Sequence, residues 1–435
     1  MSNKILIVGA GIGGLSATIA LGLANKSVSI IEQSSQLGEV GAGVQLGPNV
    51  TKILKRWGVD QALEAYAFEP NCLEVYGAKS GKLLANLPLG QSFRTRYGSP
   101  YLTVHRADLH ALLLSSVKKH GYADIHLNQR VHDVQNGPDA VQVKVQSQGQ
   151  GQGQGQGVDP VPSPIIEDYE ALIGADGVWS RVREVLFKSN PAQFGSNAVS
   201  FSGDLAYRSL VLQKLLPPHL RTFAVKVWLG PDMHLVQYPI RRGEWLNSVL
   251  ILSPSQHLRA RDAVPKDVLS ALDWTINMSQ DQKALNIQSI LHQTCPIVQD
   301  TLRAIETWNV WPLMKSEPLS SSSQMAKGRV GLLGDAAHPM LPYLAQGAGM
   351  AIEDAFELGE QFNGKTNSAR PYCVQNILAG YAAKRWARSA EVQKRALLNA
   401  DIFHANHALA WARDRSLQLF GPKLLDMPWL YGYQS

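Results

Sequence analysis

Apolar residues in this chain fall into short uninterrupted runs, strict alternations and helical spacings, and the order of these patterns predicts the fold. Lys4-Ile-Leu-Ile-Val8 is a continuous apolar run, the signature of a strand buried on both faces. Gly9-Ala-Gly-Ile-Gly-Gly14 follows, and then Leu15, Ile19 and Leu23 at spacing four predict a helix. Val28-Ser-Ile-Ile31 predicts a second strand that ends at Glu32. Arg106-Ala-Asp-Leu109 opens a helix running to Val117, and strands are predicted at 125–127, 140–145 and 169–173. Between the last two, alternating Gln and Gly over 146–157 runs into Val158-Asp-Pro-Val-Pro-Ser-Pro164, a composition unable to form a core. Residues 146–164 are therefore expected to be a flexible hairpin insertion. Residues 223–229, 234–238 and 245–252 read as neighbouring antiparallel strands, with turns at 230–232 and 241–244. From Val330 the chain returns to strand, glycine turn and helix, and 377 to about 416 is predicted as helix.

Strand, glycine turn, helix and acid-terminated strand within about 30 residues predict an α/β, Rossmann-like nucleotide fold. Gly9 permits the turn, Gly11 lets the backbone approach a pyrophosphate, and Gly14 lets helix and strand pack closely. The helix that begins there would offer free N–H groups and its positive dipole end to phosphate. Glu32, 23 residues beyond Gly9, suits a hydrogen bond from a ribose 2′-hydroxyl. These features do not distinguish NAD from FAD.

Composition adds limits. The chain has 435 residues, 45% of them hydrophobic, with 41 Lys+Arg against 35 Asp+Glu. That length predicts two or three packed units and excludes a disordered or disulfide-scaffold protein. The three cysteines, Cys72, Cys295 and Cys373, are far apart, which argues against a cysteine-clamped metal and for a reducing, cytoplasmic setting. The net charge of +6 is spread without a basic block, fitting small anionic ligands better than nucleic acid. Residues 5–24 carry no charge, but the cluster Gly9, Gly11, Gly13 and Gly14 would break a lipid-exposed helix, so no membrane partner is expected.

Two later motifs narrow the cofactor. Gly174-Ala-Asp-Gly-Val-Trp-Ser-Arg-Val-Arg183 and Gly331-Leu-Leu-Gly-Asp-Ala-Ala-His-Pro339 each follow a predicted strand. With the N-terminal glycines they resemble the FAD-dependent aromatic hydroxylases of the p-hydroxybenzoate hydroxylase fold. Met340-Leu-Pro-Tyr-Leu-Ala-Gln-Gly-Ala-Gly-Met-Ala-Ile-Glu-Asp354 and Gly38-Glu-Val-Gly-Ala-Gly-Val-Gln-Leu-Gly-Pro-Asn49 are most similar to the salicylate, 3-hydroxybenzoate and 6-hydroxynicotinate hydroxylase branch. The resemblance covers about residues 1–365. It implies a discontinuous FAD-binding domain from 1–75, 100–182 and 325–365, an inserted antiparallel-sheet substrate domain from 76–99 and 183–324, and a helical C-terminal segment at 366–435.

The resemblance also implies roles. Asp335 would accept from the flavin ribityl chain, Arg106 would pair with the FAD phosphates, and Val131 would meet the adenine. Gly347, Ala348 and Gly349 would set backbone N–H groups near the flavin pyrimidine oxygen; many relatives carry Asn where this chain has Gly349. Asp176 and Arg183 belong to a motif that serves both FAD and nicotinamide binding in relatives. The implied reaction is hydroxylation of a small phenolic, salicylate-like acid with NADH or NADPH and O2 through a flavin C4a-hydroperoxide, in a monomer or homodimer. The alternatives are a flavin oxidase or reductase that inserts no oxygen, and a non-enzymatic nucleotide-fold binding protein.

His234 and Tyr238 are the candidate catalytic pair. Alternation in a strand sends both to one face, about 13 Å apart at full extension. In the 6-hydroxynicotinate and 3-hydroxybenzoate hydroxylases a His-x-x-x-Tyr pair occupies what looks like this place. His234 would be the base and Tyr238 would hydrogen-bond the substrate oxygen or relay its proton. Gln45 is a candidate for the opposite wall, and Arg208 for a carboxylate or phosphate. Trp308, Trp311, Trp386, Trp411 and Trp429 are read as packing, and His404 and His407 as surface residues.

Overall fold

The computed structural model describes residues 3–38, 42–147, 165–188, 199–253, 287–288, 290–364 and 373–433. The run Lys4–Val8 is a strand whose Ile5, Leu6 and Ile7 are fully buried. It lies between parallel neighbours, Ala171–Gly174 on one side and Ser27–Ile31 on the other. Val330–Leu332 and Ala123–His126 extend this sheet in parallel, and Ala326–Lys327 closes one edge antiparallel, making six strands. Continuous apolar runs suit such a sheet because helices cover both faces. The helices Ile12–Leu23 and Gly347–Phe362 pack on each other so closely that a Cβ at Gly359 would meet the Ala20 carbonyl oxygen at 2.9 Å.

Gly14 shows what the glycine turn requires. A Cβ there would stand 1.9 Å from the carbonyl oxygen of Gly9, which itself has φ +99°. Gly14→Ala is expected to lever the helix off the strand at a cost of roughly 1–3 kcal/mol. Thermal unfolding followed by circular dichroism checks this, and an unchanged melting temperature would show that the turn tolerates the methyl group.

A seven-stranded sheet forms the second layer, in the order Asn309–Lys315, Ser200–Leu212, Trp245–Leu252, Met233–Ile240, Val225–Gly230, Cys72–Gly77 and Leu83–Pro88. All its pairs are antiparallel except Val225–Gly230 with Cys72–Gly77. One face packs on the helix Pro296–Ala304 through Leu205, Tyr207, Leu235, Leu250, Val298 and Leu302. The other face, carrying Ala206 and Ile251, packs on Leu341, Tyr343 and Ala396. This second face looks toward the glycine-rich segment before the helix Gly347–Phe362. Arg241 ties the two layers, donating from Nε and Nη2 to both oxygens of Asp108 at 2.8 Å. That bond holds the Asp108 carboxyl below the ordinary carboxylate range.

Two predicted elements are divided. The apolar run 169–173 serves two sheets: Ile165–Tyr169 pairs antiparallel with Val141–Ser147, and Ala171–Gly174 joins the parallel sheet. The hairpin expected there is present at its flanks, Ile165 opposite Val145, while 148–164 lie outside the described residues. The long C-terminal helix is two helices, Val374–Phe403 and His407–Leu425. The break follows from Asn406 in extended backbone and His407 at φ +50°, a conformation that ends one helix and starts the next. Among the described residues, no helix is long and apolar enough to cross a membrane.

Candidate active site

At the nucleotide fold, Gly11 precedes the helix Ile12–Leu23 in extended backbone, and no side chain caps its first turn. The first-turn amides are thus left for an anionic ligand. Glu32 is turned back onto the glycine turn, where Oε2 accepts from the Ala10 amide and Oε1 from the Ser34 amide, both at 2.8 Å. Val131 contributes to a cleft of about 280 Å³ with Arg130, His132, Gln146, Trp179, Arg181 and Glu184. Arg106 begins the helix Arg106–His120, its amide bonded to the Ala42 carbonyl at 3.0 Å.

The two later motifs brace each other. Asp176 accepts from the Ser180 hydroxyl and from the amides of Arg181 and Val182, so it caps the helix Arg181–Lys188. Burial raises its pKa against those bonds. Arg183 donates to the Val178 carbonyl, to the Asp335 carbonyl at 3.1 Å and to the Ala336 carbonyl at 2.9 Å. Asp335 is half-buried in the tight turn Gly334–Ala336 after the strand Val330–Leu332.

Gly347, Ala348 and Gly349 form the first turn of the helix Gly347–Phe362, again without a side-chain cap, after Ala345 at φ +52°. A Cβ on Gly347 would meet open space, whereas one on Gly349 would lie 2.7 Å from Oε1 of Gln346. That oxygen accepts from Asn49 Nδ2, which also donates to Glu353. The Gln346 side chain thus occupies the space beside Gly349. Two uncapped helix starts, a cleft at Val131 and open space at Gly347 fit an extended dinucleotide such as FAD.

On the facing sheet, His234 and Tyr238 share one side, as alternation predicts, with Ile251 and Asn247 as their cross-strand partners. Their surroundings differ. Tyr238 is 4% exposed and close against Gly43 and Asn247. Gln45 hydrogen-bonds it, Arg208 lies nearby, and burial pushes its phenol well above the ordinary value. Gln45 also accepts from the Tyr101 hydroxyl at 2.6 Å. Gln45 and Tyr238 therefore meet, and Tyr101, Asn247 and Arg208 join them.

His234, 1% exposed, sits among Tyr343, Phe403 and His404. Its Nδ1 is 2.7 Å from His404 Nε2. His404 is thus no surface residue: it is 8% exposed and packs against His234, directly after the helix Val374–Phe403 ends. His407 is exposed as expected. Burial, with the neighbouring His404, lowers the His234 pKa well below the ordinary imidazole value. Of the tryptophans, Trp308 is buried and Trp311 stacks on Arg208, but Trp411 is 67% exposed and packs little. No sequence signal marked His404, Asn247 or Tyr101, since each joins the site through strand pairing or a helix break.

A larger groove of about 470 Å³ opens between the helix Gln91–Tyr97 and the C-terminal segment, lined by Leu87, Phe93, Pro422 and Pro428 among others. Arg96 and Tyr97 bond Asp426 at its edge, and it holds none of the residues above.

The family model described as FAD binding domain matches residues 2–227 and 269–396. The 3-hydroxybenzoate 6-hydroxylase of Polaromonas naphthalenivorans is 32% identical over 431 residues, covering 99% of this chain and 96% of that protein. The 3-hydroxybenzoate 6-hydroxylase 1 of Aquipseudomonas alcaligenes is 33% identical, covering 100% and 99%. A salicylate hydroxylase substrate complex superposes with a TM-score of 0.76 at 21% identity, covering 100% of this chain and 96% of that one. With the glycine turn, both later motifs and the facing sheet in place, the chain belongs to the FAD binding domain family, among relatives that are flavin-dependent aromatic hydroxylases.

Proposed function

We propose that this protein is an NAD(P)H- and O2-dependent monooxygenase that hydroxylates a small phenolic carboxylate. One observation carries the substrate class. Arg208 Nε and Asn247 Nδ2 are buried N–H donors without hydrogen-bond partners among the described residues. The orientation of Asn247 is set by its Oδ1, which accepts from the Gly43 amide at 2.7 Å. Both residues lie on the Tyr238 side of the sheet: Asn247 pairs with Tyr238 and Leu210, and Arg208 stands two residues from Leu210. No carboxylate is among the groups acting on Arg208, which are the Tyr238 phenol and the like-charged Arg106. Two orphaned donors beside a phenol call for an acceptor, and for Arg208 an anionic one, since burying an uncompensated charge is costly. A ring carboxylate supplies it, in keeping with relatives named for 3-hydroxybenzoate.

In this reading the unit built on the six-stranded sheet holds FAD through Gly9, Gly11, Gly14, Glu32, Arg106, Val131, Asp335 and the Gly347–Gly349 turn. Its first segment ends before Cys72 and not at 75 as expected, because the strand Cys72–Gly77 lies wholly in the seven-stranded sheet. The seven-stranded sheet, from Cys72 onward and within 183–324, holds the substrate. Bound FAD supplies acceptance of the reductant's hydride and activation of O2 for transfer of one oxygen atom. The protein's share is to fix the ring, exclude water and make the ring electron-rich. An unperturbed phenol ionises near pH 10, so a base is needed at neutral pH. His234 takes the phenol proton. Tyr238, kept protonated by burial, donates to the substrate oxygen.

Arg208→Gln tests the anion subsite. With 3-hydroxybenzoate, the variant is expected to lose roughly 10²-fold or more in kcat/KM, the usual consequence of truncating a buried charge pair. With 3-hydroxybenzamide, which carries no charge, the loss should be several-fold at most. NADH oxidation and a product heavier by one oxygen are the readouts. Equal losses on both compounds would remove Arg208 from substrate binding, and NADH oxidation without a hydroxylated product would mark an oxidase or reductase.

A further inference from the structure

We infer that His404, which directly follows the helix Val374–Phe403, is a positioning residue that fixes the tautomer of His234 and receives its proton through a buried chain ending at Asp204. The inference rests on the reading of this sheet face as the substrate site. The chain is continuous. His234 Nδ1 lies 2.7 Å from His404 Nε2, and His404 Nδ1 lies 2.6 Å from Ser253 Oγ. Ser253 Oγ donates to Asp204 Oδ1, and the Tyr343 hydroxyl donates to Asp204 Oδ2 at 2.6 Å. His234, His404, Asp204 and Tyr343 are each no more than 8% exposed.

Donor and acceptor roles follow from the acid end. An ionised carboxylate only accepts, so the single Ser253 proton points at Asp204. Ser253 must then accept from His404 Nδ1–H, which leaves His404 Nε2 bare. That nitrogen accepts from His234 Nδ1–H. The bare nitrogen of His234 is therefore Nε2, which has no hydrogen-bond partner among the described residues. Neutral His234 is thereby held with its basic lone pair off the chain, free for a substrate hydroxyl.

The chain also decides where positive charge settles. When the phenol O–H bond breaks, its proton bonds to His234 Nε2. The Nδ1–H bond of His234 breaks and a new N–H bond forms at His404 Nε2. His234 ends neutral and His404 becomes the imidazolium. Charge on His234 is opposed by burial, and its ring neighbours are Tyr343, Phe403 and His404, none of them an acid. His404 is also opposed by burial but faces the carboxylates of Asp204, Asp232 and Asp401, against the single cation Arg413. The proton is therefore most stable one residue away from where it is taken up.

The test follows ionisation without turnover. The FAD-loaded protein binds 3-hydroxy-4-nitrobenzoate, whose phenolate absorbs visible light, and the bound probe is titrated by difference spectra against ligand-free holoprotein. In the wild type, bound probe should ionise at lower pH than free probe. In His404→Gln, whose amide oxygen can still accept from His234 but cannot take up a proton, the apparent dissociation constant of the bound phenol should fall roughly tenfold or more. For 3-hydroxybenzoate, kcat at neutral pH should fall at least tenfold and its pH profile should move to higher pH, with KM little changed. Ser253→Ala breaks the next link and should shift ionisation the same way, which covers the case that His404→Gln fails to fold. Wild-type ionisation and pH profile in both variants overturn the relay. If the wild type ionises the probe in a His404-dependent way but yields no hydroxylated product, the relay stands and the hydroxylation reading falls. If product forms and neither variant matters, the reverse holds.

Discussion

Arg385→Leu is expected to destabilise the protein by about 3–5 kcal/mol, because it strips the partner from two buried carboxylates. Arg385 is 1% exposed; its Nε donates to Asp354 Oδ1 and its Nη1 to Glu353 Oε2, both at 2.8 Å. Asp354 also accepts from the Gly334 amide at 3.0 Å and lies 2.6 Å from His338 Nε2. Glu353 is bonded by Arg388 and Asn49, and Asn49 reaches Gln346 at the start of the helix Gly347–Phe362. The loss should therefore appear both as a lower melting temperature and as weaker flavin retention. Arg395→Ala, which breaks the exposed pair with Glu391 and the half-exposed stack on Trp429, should cost no more than about 1–2 kcal/mol. Equal melting temperatures for the two variants would show that the buried network adds no stability.

The same network sets an acid limit. Burial alone would raise the Asp354 carboxyl, but His338 and Arg385 hold it at about 2, below its usual 3.8. A carboxyl depressed in the folded state adds stability above its unfolded pKa, and that stability is lost as pH falls through the folded value. The shift corresponds to about 2 kcal/mol, lost between about pH 4 and pH 2. In Arg385→Leu the loss should begin at higher pH, as acid titrations of unfolding free energy would reveal.

His234→Ala is expected to lower hydroxylation by roughly 10²–10⁴-fold while the protein stays yellow. The flavin should remain because His234 lies on the seven-stranded sheet and is not among the residues assigned to hold FAD. The residual rate should recover toward high pH, where the phenol ionises unaided. Product formation at the wild-type rate across a panel of hydroxybenzoates would remove His234 from the mechanism. Tyr238→Phe provides the contrast. It keeps the ring that packs on Gly43 but deletes the hydroxyl facing Gln45 and Arg208, so it should raise KM and lower kcat together without altering flavin content.

The nucleotide fold was legible because its chemistry is local. The run Lys4–Val8, the turn at Gly9 and the helix from Ile12 follow one another, and Gly9 and Gly14 answer close backbone contacts, with Ala175 and with Gly9 itself. The antiparallel strands were legible for the same reason, since alternation and turn residues are short-range signals. Misread segments were those whose fate depended on distant chain. The apolar stretch 169–173 looked like one strand, yet Tyr169 and Ala171 belong to different sheets. The helical pattern across 377–416 ran through a break at His404–Asn406, where Asn406 is extended and His407 has positive φ.

What the amino-acid order determined by itself is the framework: which segments are strands or helices, where backbone must be bare for phosphate, and that His234 and Tyr238 face the same way. Tertiary structure decided which side chains surround them. Arg208, Asn247 and Tyr238 come together across three strands, Gln45 and Tyr101 arrive from a separate pair of strands, and His404 reaches in from a helix end 170 residues away. The physical reason is range. Turn geometry, alternation and helix periodicity act over a few residues, whereas an orphaned donor or a fixed tautomer exists only once burial has removed water and left a polar atom to whatever the fold brings within 3 Å.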